Sequence, residues 1–162
     1  MKVSLDISVP SPLWRGLPRA RAIARETIAT AVVENEDIMR DGAAVSLCLA
    51  DDAALRELNL RWRGLDKPTN VLSFPSAAAG RFGDAATLGD IALAYETLAR
   101  EAENLGVSLA DHYRHLIAHG FLHLIGYDHE TDAEAGRMEA LETKILARLG
   151  VGDPYAHEVI GE

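Results

Sequence analysis

Three histidines in the stretch HGFLHLIGYDH, residues 119–129, constrain the fold of this chain more than any other feature. His119 and His123 are four positions apart, so a helix of about 3.6 residues per turn presents both imidazoles on one side. Gly126 tolerates a positive φ and lets the chain leave that helix and turn back. The reversal carries His129 towards the same point. A fold that satisfies this spacing needs a helix ending at about Ile125, a tight turn, and a solid layer behind the helix.

The rest of the chain can supply that layer. Val3, Leu5, Ile7 and Val9 alternate with polar residues as in a half-buried strand, which Pro10 and Pro12 end. From Arg19 to about Glu34, Ile23, Ala24, Ile28, Ala31 and Val32 form a helical stripe. Ala44 to Ala50 reads as a buried strand. Asp51 or Asp52 can cap the next helix, with Leu55, Leu58 and Trp62 facing inward. Asn70 to Phe74 reads as a strand stopped by Pro75, residues 76–88 as a loop rich in Ala and Gly, and Ile91 to Ala94 as a fourth strand. A helix follows over Glu96 to Glu103. Ser108 and Asp111 have capping-box spacing and open the histidine helix. Thr131 and Glu134 repeat that spacing before a last helix to Leu149, where Gly150 can end it. With no internal repeat and no linker, the pattern predicts a single domain over residues 1–162. Its class is α/β or α+β, with about four strands in a mixed sheet covered by four to five helices.

Composition narrows the setting. A chain of 162 residues, 48% hydrophobic and 25% charged, suits one ordinary globular core. The N-terminal stretch has no continuous apolar run, so it does not read as a signal peptide. No apolar stretch approaches the ~20 residues needed to cross a bilayer. The one cysteine, Cys48, reads as a core thiol and excludes both an internal disulfide and a thiolate-rich zinc site. These features together predict a cytoplasmic protein. The formal charge of −9 argues against a broad basic face for nucleic acid. The charge is uneven, however. Residues 56–81 hold Arg56, Arg61, Arg63, Lys67 and Arg81 against two acids, whereas residues 130–162 hold eight acids against three bases.

On a helical wheel stepping about 100° per residue, His112, His115, His119 and His123 fall in a stripe about 80° wide. Leu109, Tyr113, Leu116, Ile117, Phe121 and Leu124 occupy the adjoining face, so the histidines line the edge of the buried side, where a cleft would lie. A histidine pair at i, i+4 can arise on any polar helix face. Here five of six histidines fall between residues 112 and 129, with a glycine at the turn, and the pattern points to metal. His119, His123 and His129 are the expected ligands. Three neutral imidazoles suit one zinc ion and leave a fourth position open, as in catalytic sites. His112, His115 and Asp128 stand near the ligands as supporting or merely exposed groups. The zinc-protease pattern H-E-x-x-H-x-x-G-x-x-H shares this spacing, but Gly120 replaces its glutamate base, which disfavours a peptidase.

The stretch LNLRWRGLDKPTNVLSFP, residues 58–75, is the second informative segment. Arg63 can bind phosphate oxygens through its planar guanidinium, or it can serve the helix end or a surface acid. Arg61 and Lys67 flank the same turn. Together with LGDIAL at residues 88–93, these segments resemble the YbeY family of bacterial rRNA maturation factors. The resemblance spans residues 45–149 and departs in small ways: Asn70 stands where many members have Asp, Trp62 where many have Tyr, and the tail after Gly150 carries no motif. It implies a metal-dependent endoribonuclease specific for single strands, acting in maturation of the small-subunit rRNA 3′ end and in ribosome quality control. It also implies His119, His123 and His129 as ligands, Arg63 as the catalytic arginine, and the ribosomal small subunit with its proteins as partners, while Arg61 and Lys67, from their place beside Arg63, are candidate RNA contacts. Two rivals remain open here: a non-catalytic ribosome assembly factor with a structural metal, and a metal-dependent hydrolase of a small amide or ester.

Overall fold

Alternation of apolar residues builds the sheet, and its two faces are unequal. A computed structural model describes residues 3–39, 42–76 and 87–156. Four strands, β1 (Ser4–Ser8), β2 (Ala44–Ala50), β3 (Val71–Pro75) and β4 (Thr87–Ala94), form one sheet in the order β1-β2-β4-β3. β1, β2 and β4 run parallel, and β3 joins the edge antiparallel to β4. Among the described residues, five α-helices accompany the sheet in this α+β fold: α1 (Ala20–Val33), α2 (Asp52–Arg63), α3 (Tyr95–Leu105), α4 (Leu109–Leu124) and α5 (Asp132–Arg148).

One face carries the main core. Val45, Leu47, Leu49, Ile91 and Leu93 from the sheet meet Tyr113, Ile117 and Phe121 of α4, all buried. α4 lies against β3 and β4 and is flanked by α1, α3 and α5, so it is the central helix of the fold. Its position is pinned where the Tyr113 hydroxyl donates to the Ala20 carbonyl at 2.9 Å. The other face carries α2 and a small cluster around Leu55, Leu72, Ala92 and Ala94.

The thinness of that second layer accounts for two departures from expectation. β2 is not buried on both faces: Cys48 points to the α2 side and is half-buried. Trp62 is 65% exposed rather than turned inward, resting near Phe74 with ring centroids 6.4 Å apart. The inward line of α2 is Leu55–Asn59, because Asn59 Nδ2 donates to the Lys67 carbonyl at 2.9 Å and ties the helix to the turn beyond it. The expected 76–88 loop is shorter at its end, since Thr87 and Leu88 already belong to β4; residues 77–86, with Arg81, lie outside the described residues.

Helix starts follow the capping residues. Asp51 accepts from the Ala54 amide at 2.9 Å and starts α2, while Asp52 accepts from the Thr97 amide at 3.1 Å in the first turn of α3. Ser108 and Thr131 cap α4 and α5. The Asp111 carboxylate does not close the expected box; it pairs with Arg114 at 2.8 Å.

Candidate metal centre

Close packing of α4 on the sheet sets the histidine row. A Cβ at Gly120 would sit 3.1 Å from both Ile91 Cγ2 and Ser73 Oγ, so any side chain there would make its neighbours give way for the helix to approach this closely. Ser73 Oγ donates to the Gly120 carbonyl at 3.0 Å and locks the contact. The position where a zinc protease carries its base therefore faces the sheet, and a glutamate has no room there. The neighbouring residue, His119, is turned to the cleft.

At the end of α4 the Gly126 amide returns to the His123 carbonyl and the Tyr127 amide to the Leu122 carbonyl, with Gly126 at φ 100°. The turn brings His129 back beside the helix. Ligand nitrogens of His119, His123 and His129 all lie within 4.8 Å of one another, and the Nε2 atoms of His119 and His123 are 3.1 Å apart.

The bonds on the far sides of two rings decide which nitrogens carry protons. His123 Nδ1 sits 3.0 Å from the Tyr127 carbonyl, which can only accept, so Nδ1 is the protonated nitrogen and Nε2 keeps its lone pair. His119 Nδ1 sits 3.3 Å from Glu142 Oε1, which imposes the same tautomer. Burial, followed by the neighbouring His119 and His129, pushes the His123 pKa down, which favours the neutral ring a metal needs. Two lone pairs directed at each other over such a short gap fit a shared cation. The cluster can hold a metal ion.

Glu142 on α5 was not singled out in the sequence, yet it is fully buried behind the histidines. Its carboxylate accepts from His115 Nε2 at 2.8 Å, from His119 Nδ1, and from the Tyr155 hydroxyl at 2.9 Å. Burial alone would raise its pKa, but the hydrogen bonds from His115 and His119 outweigh it and hold the acid down to about 2. A signal was present: Met138, Leu141, Ile145 and Leu146 form the apolar stripe of α5, and Glu142 interrupts it at an inward position. In the described part of the tail after Gly150, Tyr155 closes this network from the side.

The other candidate residues are distributed unevenly. His115 reaches His119 through Glu142 and makes no direct hydrogen bond to His119, His123 or His129. His112 is buried and bonds to Glu101 Oε1 at 2.9 Å. Asp128 Oδ1 accepts from the His129 amide at 2.8 Å and so shapes the turn. Arg63 ends α2 and lines the same cavity as the three histidines, a space of about 690 Å³ that Thr69, Asn70 and Ser73 also border. Arg61 and Lys67 are exposed near that turn and do not border the cavity. The turn itself is braced by Asn59 and by Arg56, which pairs with Asp66 at 2.6 Å.

An α+β domain that presents an open three-histidine centre in a cleft has the design of a metal-binding hydrolase. Residues 18–150 match the family described as Endoribonuclease YbeY. The chain is 48% identical to the endoribonuclease YbeY of Methylocella silvestris, over 96% of this chain and 87% of that one. It is 52% identical to that of Nitrobacter hamburgensis, over 93% and 81%. Its fold is similar to a solution structure from Thermotoga maritima, with a TM-score of 0.52 and 25% identity over 90% of this chain and 87% of that one. The chain belongs to the endoribonuclease YbeY family.

Proposed function

We propose that this chain is a zinc-dependent endoribonuclease that cuts single-stranded RNA during maturation of the small-subunit rRNA 3′ end and in ribosome quality control. Family membership makes it a hydrolytic endoribonuclease of rRNA processing and disfavours both the non-catalytic assembly factor and the amide or ester hydrolase. The observation that carries the finer reading is the convergence of three imidazoles on a cavity bordered by Arg63. Zinc held there would supply Lewis acidity and lower the pKa of water from ~15.7 towards ~7.

The chain's own residues divide the remaining work. Glu142 holds His119 in the ligating tautomer, and the Tyr127 carbonyl does the same for His123. Arg63 binds the nonbridging oxygens of the scissile phosphate and stabilises charge that builds on them. Arg61 and Lys67, exposed near the same turn, contact flanking phosphates. The protein works in the cytoplasm on the ribosomal small subunit and its associated proteins. Among the described residues no helix is long and apolar enough to cross a membrane, which accords with that location.

The test is cleavage of an end-labelled single-stranded RNA by metal-quantified protein. Arg63→Ala is expected to lose on the order of 10²–10³ in kcat with its metal content unchanged. His123→Ala is expected to lose metal and cleavage together. Equal cleavage by wild type and His123→Ala would overturn the metal's part in the chemistry, and loss of metal in Arg63→Ala would make that arginine structural.

A further inference from the structure

We propose that a second cavity along α4 is a subsite for the nucleobase beside the scissile phosphate, and that Glu101 selects bases carrying an amino donor there. The inference rests on the endoribonuclease reading and extends it to base preference. The cavity measures about 520 Å³, ample for one nucleoside. Asn70, Val71 and His119 line both this cavity and the one that Arg63 borders, so the two are neighbours across a shared wall of residues. His115 and His112, which line it, lie about 6 and 10 Å along the helix axis from His119, a separation that one nucleotide spans.

The lining chemistry separates the two spaces. Leu105, Val107, Leu116, Val151 and Pro154 give this cavity apolar walls, and among the described residues no lysine or arginine lines it. Its acidic lining groups are Glu101, Asp153 and Asp111, the last of them paired with Arg114. Carboxylates repel a phosphate, whereas an uncharged planar ring with N–H donors satisfies both walls and acids. The phosphate therefore belongs with Arg63 and the base with Glu101.

Glu101 is oriented before any ligand arrives. Its Oε1 accepts from His112 Nε2 at 2.9 Å and from Asn70 Nδ2 at 3.0 Å. A carboxylate has about four lone-pair sites, so acceptor capacity remains, and the side chain is 37% exposed. Burial would raise its pKa, but the bonds from His112 and Asn70 prevail and lower it, so the group stays an ionised acceptor. Guanine offers N1–H and its amino group, and cytosine and adenine offer amino groups. Uracil offers one N–H between two carbonyls, which an anion disfavours. Unstacked bases in single-stranded RNA are read on this edge.

Two measurements on the zinc-loaded full chain test the subsite. The first compares kcat/KM for single-stranded RNAs that differ by one base next to the cut. Wild type is expected to prefer guanine over uracil roughly tenfold on one side of the cut, and Glu101→Gln to lose that preference. The second titrates guanosine and uridine while following the methyl resonances of Leu105, Val107, Leu116 and Val151. Guanosine is expected to shift them more than uridine, and Glu101→Gln to remove the difference while its amide spectrum shows a folded chain. Cleavage without base preference, with methyls that do not respond, would overturn the subsite and leave the endoribonuclease reading intact. Guanosine binding without RNA cleavage would keep the base site and remove its link to a cut. A preference that survives in Glu101→Gln would overturn the role of Glu101.

Discussion

At the scale of single residues, the three-histidine cluster is backed by a buried carboxylate. Glu142 is fully buried among the described residues and gathers hydrogen bonds from His115, His119 and Tyr155. A buried anion without partners would be costly, and these three donors are what make it tolerable. In return it fixes the rotation of the His119 ring, and its charge would make that ring a stronger ligand for a metal. Glu142→Gln keeps the shape and an acceptor but removes the charge. Its expected effect is a ten- to hundredfold weaker affinity for zinc, roughly the range seen when such supporting groups are lost. Competition against a chelator of known affinity measures it. Unchanged affinity, with a less stable metal-free chain, would instead make Glu142 a core group with no influence on the ligands.

At the scale of elements, much was legible, and what escaped has physical reasons. β2 was readable over Ala44–Ala50 because its apolar run is bounded by turn residues, and α4 and α5 because Ser108 and Thr131 cap them. The convergence of His119, His123 and His129 could be read from spacing because helix periodicity and one glycine fix it locally. Trp62 misled because its i, i+4 line competes with Leu55–Asn59, and a polar tie to a turn decides the rotation. The sheet order and the reversed β3 depend on contacts between distant segments, which no local pattern encodes. The same holds for the α1–α5 clamp, where Glu34 at the end of α1 meets Lys144 at 3.1 Å and also Arg148. Hydrogen bonds from Arg148 and Lys144 lower the Glu34 pKa below its ordinary 4.5. A depressed folded pKa means the unfolded chain binds the proton more readily, so the clamp's stability is present above pH 4.5 and is lost as pH falls through the folded value. Both cations are at least half exposed, so the contribution is at most about 1 kcal/mol. Thermal melts should show Glu34→Gln less stable than wild type at neutral pH, with the gap closing on acidification below 4.5. A gap that persists in acid would show that packing, not charge, holds the two helices.

At the scale of the whole molecule, an acidic protein has to bind a polyanion with few cations. The net charge is −9, and the acids gather in residues 130–162, away in sequence from the arginines of 56–63. Among the described residues, the RNA contacts proposed above are few, Arg61, Arg63 and Lys67 near the α2–β3 turn. Counterion release then sets a ceiling on the salt dependence: single strands give a log–log slope of about −0.7 per neutralised phosphate, or about −2 for three contacts. Direct binding of single-stranded RNA to the cleavage-deficient Arg63→Ala variant should be shallower still, near −1.4, with Arg61→Ala and Lys67→Ala each removing roughly a further 0.7. Fluorescence anisotropy across a salt series measures each slope. A slope much steeper than about −2 would mean that a basic surface outside this turn carries the RNA. A slope near the expected value makes free RNA a weak ligand at physiological salt, so the strand has to be delivered by a larger assembly, and the acidic remainder of the surface then disfavours cutting of RNA met by chance.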